Sequence, residues 1–282
     1  MRALYTNNLE KPARGAGALA ERIGIAGLAR VAPPVHHGLD GNIVDMSAVT
    51  ASLSIVMPVL NEAHGVVERL RALAPLRSAG VEVIVADGGS ADGTVAAAQP
   101  LCDRLVRAPR GRAAQMNAGA AVACGDVLVF LHADTILPDG GPGAILDGMA
   151  CTGRVWGRFD VAIEGRSALL PLVGAMMNLR SRATGNATGD QAMFVTRAAF
   201  ERVGGFPDIA LMEDIALSRA LKRLGRPLCL RAKVRTSGRR WDQNGALRTI
   251  LLMWRLRLAF ALGAKPDDLA RRYGYAPRNS AP

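Results

Sequence analysis

Three short apolar runs of the sequence are each followed by side chains that could do chemistry. The runs are 53–59, 81–86 and 126–131, and the polar residues after them include Asn61 and Glu62, Asp87, and His132 and Asp134. Carboxylates and imidazoles transfer protons and bind divalent cations. Any one of these residues could be only a turn residue or a helix cap. Three successive occurrences indicate a functional site.

A fourth polar group is the acidic pair Glu213 and Asp214. It precedes a segment with apolar residues at helical spacing, which Gly225 and Pro227 close, so the pair is predicted at a helix N-terminus. The helix dipole favours acids there whether or not they catalyse. The dipole also keeps a carboxylate ionised, as a general base requires. The residues alone therefore leave a structural and a catalytic role open.

The apolar runs are typical of buried strands, and the segments between them have helical spacing. The first helix would present Val66, Val67, Leu70 and Leu73, and a second is predicted over 113–123. Strands that alternate with helices predict an α/β fold with a mostly parallel sheet covered on both faces. Ligands bind beyond the carboxyl ends of such strands, where the polar residues stand.

Composition excludes several classes of protein. The chain has 282 residues, half of them hydrophobic, which fits one large or two small globular domains and excludes disorder throughout. Its 31 Gly show no collagen period. Its 4 Cys lie far apart without a C-x-x-C pair, so we expect reduced cysteines with no zinc or thiol-redox role.

The net charge of +11 is concentrated at one end of the chain. Residues 222–282 hold 15 Lys plus Arg and 3 Asp plus Glu, whereas residues 1–221 hold the remaining 20 basic and 21 acidic residues. A basic tail is attracted to anionic lipid, nucleic acid or phosphorylated substrate. No apolar run is long enough for a membrane span, and arginines interrupt 246–262. We therefore expect a cytoplasmic protein, with peripheral association at the inner face of the membrane as an option.

In order and spacing, these motifs resemble the family 2 glycosyltransferases of GT-A fold. The resemblance covers roughly residues 52–240 and is strongest to a small soluble bacterial subgroup with a His-Ala-Asp metal motif, some of whose members are named for carotenoid-acid acceptors. It is carried by residues 55–62, 83–94, 117–119, 130–134, 189–191, 204–206 and 212–214. It implies a GT-A domain over 51–240. Weak periodicity with Gly and Pro interruptions predicts a poorly ordered extension over 1–50, and the charge and helical spacing predict a basic, helix-containing tail over 241–282.

For the donor, the resemblance implies a nucleotide-diphosphate sugar, with a UDP-linked sugar favoured. Asp87 would accept the N3 proton of uracil, Pro58 and Glu62 would line the base and ribose pocket, and Asn117 would also bind the donor. Asp134 would ligate a divalent cation, Mn²⁺ or Mg²⁺, which stabilises the charge of the leaving diphosphate.

His132 departs from the common family pattern, which has an aspartate at that position. Imidazole tilts the site toward Mn²⁺. The alternatives are a contact to the ribose, a role behind the metal ligands, or a local hydrogen bond at the strand end.

For catalysis, the resemblance implies inversion by single displacement, with Asp214 as the base and Glu213 as its acidic neighbour. Asp190 and Gln191 match the element that lines the donor sugar and the acceptor, although Asp190 could be a turn residue. Arg240 and Trp241 match a glutamine-x-x-arginine-tryptophan element near the diphosphate and acceptor, in which Ser237 replaces the glutamine.

The acceptor is the least determined partner. A Met- and Leu-rich stripe at 167–184 is typical of core, and its alternative role is an apolar groove for a lipid-linked or carotenoid-like acceptor. Rival functions are a sugar-phosphate nucleotidyltransferase, which would need a glycine- and arginine-rich loop after the first strand, and a nicotinamide dehydrogenase, which would need G-x-G-x-x-G. A non-catalytic binder of nucleotide sugar or polyanions is a third rival. No docking motif for a specific nucleic acid is evident.

Overall fold

The computed structural model of the protein describes residues 51–275. The extension predicted for residues 1–50 lies outside the described residues. Within the described range, eight strands form one sheet in the order β3-β2-β1-β4-β7-β6-β8-β5. The strands are β1 (Leu53–Val59), β2 (Glu82–Asp87), β3 (Arg104–Arg107), β4 (Val127–Phe130), β5 (Thr135–Ile136), β6 (Trp156–Glu164), β7 (Phe194–Thr196) and β8 (Leu228–Ser237).

Helices cover the sheet between these strands. They are α1 (Val66–Ser78), α2 (Thr94–Ala98), α3 (Arg112–Val122), α4 (Gly141–Thr152), α5 (Leu170–Thr184), α6 (Arg197–Arg202), α7 (Glu213–Leu221), α8 (Arg239–Asn244), α9 (Ala246–Ala261) and α10 (Pro266–Tyr273). A short 3₁₀ turn at Gly189–Gln191 lies between α5 and β7. The predicted α/β class with a mostly parallel sheet is confirmed.

The parallel half of the sheet is the part that the sequence pattern predicts best. All seven residues of β1 are buried, and β1 pairs in parallel with β2 on one side and β4 on the other. A strand covered on both faces has no reason to alternate polar and apolar residues, which explains the continuous apolar runs. The carboxyl ends of these strands therefore share one edge, where Asp87 and the segment after Phe130 lie.

The other half of the sheet has mixed direction. The short strand β7 runs antiparallel to both β4 and β6, and β8 then pairs in parallel with β6. Reversing direction twice restores the original one, so β6 and β8 also end at the edge used by β1, β2 and β4. The end of β8 at Ser237 thereby reaches Asp134, whose carbonyl accepts a hydrogen bond from the Ser237 N–H at 3.2 Å.

Close packing of α3 on β1 depends on a glycine. A Cβ atom at Gly119 would lie 2.3 Å from Cγ1 of Val56, which no ordinary contact allows. The bare backbone lets α3 approach the sheet and form an apolar layer with Met116 and Ala120. This contact places the start of α3, with Arg112, at the functional edge of the sheet.

The Met- and Leu-rich stripe is only partly core, which corrects its interpretation as a core stripe. Leu170 and Val173 on α5 are buried, but Leu172 is 60% exposed and Met176 is 51% exposed. Since α5 packs on β6 through one face only, its other apolar residues remain uncovered. In residues 51–275, no helix is long and apolar enough to cross a membrane.

Candidate active site

A cavity of about 660 Å³ lies at the edge where the parallel strands end. Its lining comes from the segment after β4, the end of β8, the turn Gly189–Gln191 and the start of α7, together with α5 and α9. It is lined by seven of the residues that the sequence singled out, namely His132, Asp134, Asp190, Glu213, Asp214, Arg240 and Trp241. The structure therefore brings the acids of three separate loops together.

The turn Gly189–Gln191 connects two parts of the site. The backbone N–H of Gly189 donates a hydrogen bond to Oδ2 of Asp214 at 3.0 Å. In the same turn, Oδ1 of Asp190 lies 3.5 Å from Nδ1 of His132. A Cβ atom at Gly189 would lie 2.3 Å from Cε1 of His132, so only glycine fits against the imidazole. One three-residue turn thus positions both the histidine and the candidate base.

His132 is held by protein groups at both edges of its ring. Nδ1 faces Asp190, and the edge formed by Cε1 and Nε2 packs against the backbone of Gly189. Desolvation raises the pKa of Asp190, but the hydrogen bond and the charge of His132 together lower it by more, so the pKa lies below its ordinary value. This geometry favours a positioning role for His132 over direct ligation of a metal, which stays a prediction.

Asp214 sits at the second position of α7, where both of its carboxylate oxygens accept backbone hydrogen bonds. Gly189 donates to Oδ2, and the N–H of Ile215 donates to Oδ1 at 2.7 Å. The residue before the helix, Met212, has a positive φ of 71°, an uncommon conformation that directs the chain into the site. These contacts orient the carboxylate and leave further lone pairs to accept a proton.

Burial sets the protonation behaviour of the acidic pair. Glu213 is buried, and burial together with the neighbouring charge of Asp214 raises its pKa to about 7. Burial likewise raises the pKa of Asp214 above its ordinary value, against the two backbone hydrogen bonds that lower it. Two adjacent carboxylates in a desolvated cavity resist simultaneous ionisation, so the pair titrates as a coupled unit.

Asp134 projects from the turn that follows β4. The N–H of Thr135 donates to the carbonyl of His132 at 3.0 Å, and the Thr135 hydroxyl donates to Thr236 at 3.0 Å. Pairing of Thr135 with Thr236 between β5 and β8 fixes this turn. Asp134 lines the cavity. Within residues 51–275 its carboxylate forms no ion pair with a basic side chain.

The protein groups alone do not form a complete metal shell. In residues 51–275, no group of three or more His, Cys, Asp or Glu residues could hold a metal ion. A single carboxylate nevertheless fits Mg²⁺ or Mn²⁺ when substrate phosphates supply the other oxygen ligands, as is usual for such cations. Asp134, the one acid on the β4 turn, suits that arrangement.

Pro58, Glu62 and Asp87, which were predicted to bind the nucleotide, do not line this cavity and lie at or just after the ends of β1 and β2. Asp87 is 1% exposed, and its carboxylate accepts hydrogen bonds from the N–H groups of Gly89 and Ser90. Pro58 is buried within β1. The pKa of Glu62 is raised by burial and further by the charge of Asp134, while Arg239 opposes the shift. The negative charge of Asp134 thus acts on the protonation of Glu62.

Two predicted site residues have their side-chain amides engaged by the protein. Asn117 donates to the carbonyl of Phe206 at 2.8 Å and accepts from its N–H at 2.9 Å. Gln191 is fully buried, accepts from the N–H of Thr188 and donates to Asn178. Neither lines the cavity. Contact with a ligand through either amide would require these bonds to break, so their predicted binding roles stay untested.

Other cavity residues escaped the sequence reasoning. Arg112 starts α3, Arg257 lies on α9, and Tyr273 ends α10 with the guanidinium of Arg240 at 4.1 Å from its ring centroid. Arg112 could have been found, since 109–112 reads Pro-Arg-Gly-Arg directly after the third strand. The roles of Arg257 and Tyr273 depend on how the last helices fold back, for which the sequence carries no local signal.

Comparison with known proteins is consistent with this site. The family model described as Glycosyl transferase family 2 matches residues 54–196. No curated protein matched the chain. Among solved structures, S. aureus TarS 1–349 in complex with UDP aligns with 17% identity and a TM-score of 0.55, covering 66% of this chain and 60% of that one. The chain thus spans less than two thirds of TarS 1–349.

A second solved structure covers more of the sequence. Glucosyl-3-phosphoglycerate synthase from Mycobacterium tuberculosis, in complex with Mn²⁺, UDP and phosphoglyceric acid, aligns with 22% identity and a TM-score of 0.54, covering 76% of this chain and 79% of that one. Likeness at this identity establishes the shared GT-A fold. The family match spans half of the chain and includes β1 to β7 with Asp87, Asp134 and Asp190. The chain belongs to glycosyl transferase family 2.

Proposed function

We propose that the protein transfers a sugar, with inversion, from a UDP-linked sugar to a hydroxyl or carboxyl group of an acceptor. The observation that carries this proposal is the convergence of Asp134 and Asp214 on one cavity, linked through the turn Gly189–Gln191. TarS, crystallised with UDP, and the mycobacterial synthase, crystallised with Mn²⁺ and UDP, support the choice of nucleotide and cation.

Asp214 acts as the general base. It accepts the proton of the acceptor hydroxyl as that oxygen attacks the anomeric carbon. The new carbon–oxygen bond forms while the bond to the diphosphate oxygen breaks, and nucleoside diphosphate leaves. The N–H groups of Gly189 and Ile215 hold the carboxylate in place through this step. An acceptor carboxylate, already ionised, would need no base.

The leaving diphosphate meets positive charge at the same end of the cavity. Arg112 and Arg240 line it, and neither forms an ion pair with another of residues 51–275. Fixed cations aimed at a developing negative charge stabilise the transition state more than the ground state. Asp134 would hold Mn²⁺ or Mg²⁺, which neutralises the diphosphate charge when bound. His132 positions Asp190 beside this group.

A ligand screen tests the donor assignment. We expect UDP-glucose or UDP-N-acetylglucosamine with Mn²⁺ to raise the melting temperature, because a ligand at about 100 times its Kd stabilises the native state by about 2.7 kcal/mol. GDP- and dTDP-sugars should shift it less, and UMP, which lacks the second phosphate, serves as the matched control. Slow hydrolysis of the donor in the absence of acceptor would show that the protein can break the bond between the sugar and the diphosphate. Absence of any shift with all three nucleotide classes and either cation would refute the proposal.

The strongly exposed large apolar side chains of residues 51–275 are confined to two helices. They are Leu169, Leu172, Met176 and Leu179 in or beside α5, and Leu247, Leu251, Trp254, Leu258 and Leu262 in or beside α9. The spacing of the second set, four or three residues apart, places it on one face of α9. An apolar stripe of this kind next to an active-site cavity marks an interaction surface.

We propose that this surface lies on an anionic membrane. Arg248 and Arg255 are exposed on α9 beside the stripe, and residues 222–282 carry the chain's positive charge. Apolar residues flanked by arginine are suited to the interface of anionic lipid.

Flotation with phosphatidylglycerol-containing vesicles tests membrane binding. Wild type should float with these vesicles but not with phosphatidylcholine alone. Leu251→Ser combined with Leu258→Ser, two residues outside the cavity lining, should reduce the floating fraction at least about threefold, because two buried leucines contribute about 1.5–3 kcal/mol each. Equal flotation of variant and wild type would contradict the proposal. A dimer that forms through α9 would appear as a change in sedimentation without flotation.

A further inference from the structure

Two arginines in the cavity have no protein partner. Arg180 on α5 and Arg257 on α9 both line it, and neither makes a side-chain hydrogen bond or ion pair with another of residues 51–275. Nε and Nη2 of Arg180 and Nε of Arg257 are buried from solvent. The two side chains come from two different helices that line the cavity, α5 and α9.

An unpartnered, desolvated guanidinium destabilises a folded protein. Burial lowers the pKa of Arg180, although the charge of Asp214 opposes this shift. Buried, unpartnered guanidinium nitrogens on two arginines of one cavity therefore indicate a ligand that supplies the missing negative charge. Asp214 lines the same cavity, so a ligand bound by these arginines shares that cavity with the candidate base.

The helices that carry these arginines line the cavity largely with apolar residues. Around Arg180, α5 contributes Leu172, Val173, Met176 and Met177, and around Arg257, α9 contributes Leu247, Ile250, Met253 and Trp254. Arg112 and Arg240 differ, because they start α3 and α8 and lie beside the strand ends that hold Asp134. The cavity lining thus combines acidic and basic groups near the strand ends with two largely apolar helices, α5 and α9, that carry Arg180 and Arg257.

We propose that Arg180 and Arg257 bind the anionic group of an acceptor whose remaining body is apolar and lies between α5 and α9. Carboxylate and phosphate share the chemistry that a guanidinium recognises. The inference deepens the proposed function, on which it rests for the identification of this ligand as the acceptor. The acceptor hydroxyl, or a second acidic group, would then face Asp214.

Tryptophan fluorescence of the full chain provides the binding assay. Of the 3 tryptophans, Trp241 and Trp254 line the cavity, whereas Trp156 is fully buried elsewhere. The probes are octyl phosphate and octanoate, below their micellar concentrations, with 1-octanol as the neutral probe of the same chain length. We expect both anions to bind at least about tenfold more tightly than octanol, the usual size of a charge-assisted contact. Comparison of the two anions separates phosphate from carboxylate recognition.

Matched variants assign the effect to the two arginines. Arg180→Met and Arg257→Met should each weaken octyl phosphate binding about tenfold and leave octanol binding unchanged, and Arg180→Lys should recover part of the loss. Arg71→Met, at an exposed arginine on α1 outside the cavity lining and the α9 surface, is the control and should bind like wild type. The melting temperature of Arg180→Met should be no lower than that of wild type, because the variant removes an unpartnered buried charge.

The outcomes separate this inference from the donor assignment. Unchanged octyl phosphate binding in both methionine variants, or equal binding of octanol and octyl phosphate, would overturn it. So would competition between octyl phosphate and UDP with Mn²⁺, since the arginines would then bind the diphosphate of the donor. Failure of every nucleotide sugar to bind would refute the proposed function alone, because the anion assay contains no donor.

Discussion

Asp214→Asn lowers the rate of sugar transfer by about 10²–10⁴-fold, the range that a positioned general base contributes, while donor affinity changes less than about twofold. The asparagine can keep the hydrogen bond from Ile215 or Gly189, so the start of α7 should survive the change. It cannot accept the proton of the acceptor hydroxyl. Single-turnover transfer, together with donor binding measured by thermal shift, checks both halves of this expectation.

The matched control for this variant is Glu213→Gln. Because the pKa of Glu213 is raised to about 7, glutamine closely replaces its protonated form, and we expect transfer to fall much less than with Asp214→Asn. If both variants lost transfer activity equally, or if Asp214→Asn retained it, the assignment of Asp214 as the general base would be wrong.

The same pair predicts the pH dependence. A carboxylate base works only when ionised, so activity is lost as pH falls through the pKa of Asp214, which burial has raised. The acid limb of kcat/KM should therefore lie above the ordinary aspartate range. With its pKa raised to about 7, Glu213 is largely protonated along the acid limb, so Glu213→Gln removes little charge there and should leave that limb nearly in place. An acid limb within the ordinary aspartate range, or a large displacement of it in Glu213→Gln, would contradict these protonation states.

Asp134→Asn should reduce transfer by about 10²–10³-fold, comparable to the loss of one preorganised group that stabilises leaving-group charge. The variant should also lose the Mn²⁺-dependent part of the thermal shift with UDP-sugar, and excess Mn²⁺ should restore some of it. Treatment of wild type with a chelator should reproduce the loss. Mn²⁺ dependence identical to that of wild type would exclude Asp134 as a ligand.

His132→Asn is the variant to compare with Asp134→Asn. His132 is held between Asp190 and Gly189, so its replacement should lower activity without changing the Mn²⁺ concentration required for half of it. A large increase in that concentration would instead make His132 a ligand.

The sequence predicted the parallel strands well because their signal is local. A buried strand such as 53–59 needs only a run of apolar residues, and the acids at its end follow from the geometry of parallel sheets. The convergence of Asp134, Asp190 and Asp214 on one cavity agrees with that reasoning. The resemblance to family 2 glycosyltransferases is confirmed over residues 54–196.

Residues whose role depends on distant pairing were harder to assign. The amide of Asn117 is occupied by the backbone of Phe206, 89 positions away, and no local pattern announces such a contact. The exposure of Met176 likewise depends on α5 having one covered face. Motifs report residue types, whereas the direction of a side chain is decided by packing between elements far apart in sequence.

The position of Gly189 constrains how this protein can vary. The smallest side chain would collide there with the imidazole of His132, while the same peptide unit donates to Asp214. A larger residue at position 189 would push the imidazole of His132 toward the carboxylate of Asp190, which lies at the other edge of the ring. In evolutionary variants of this protein, we therefore expect positions 189 and 132 to change together or not at all.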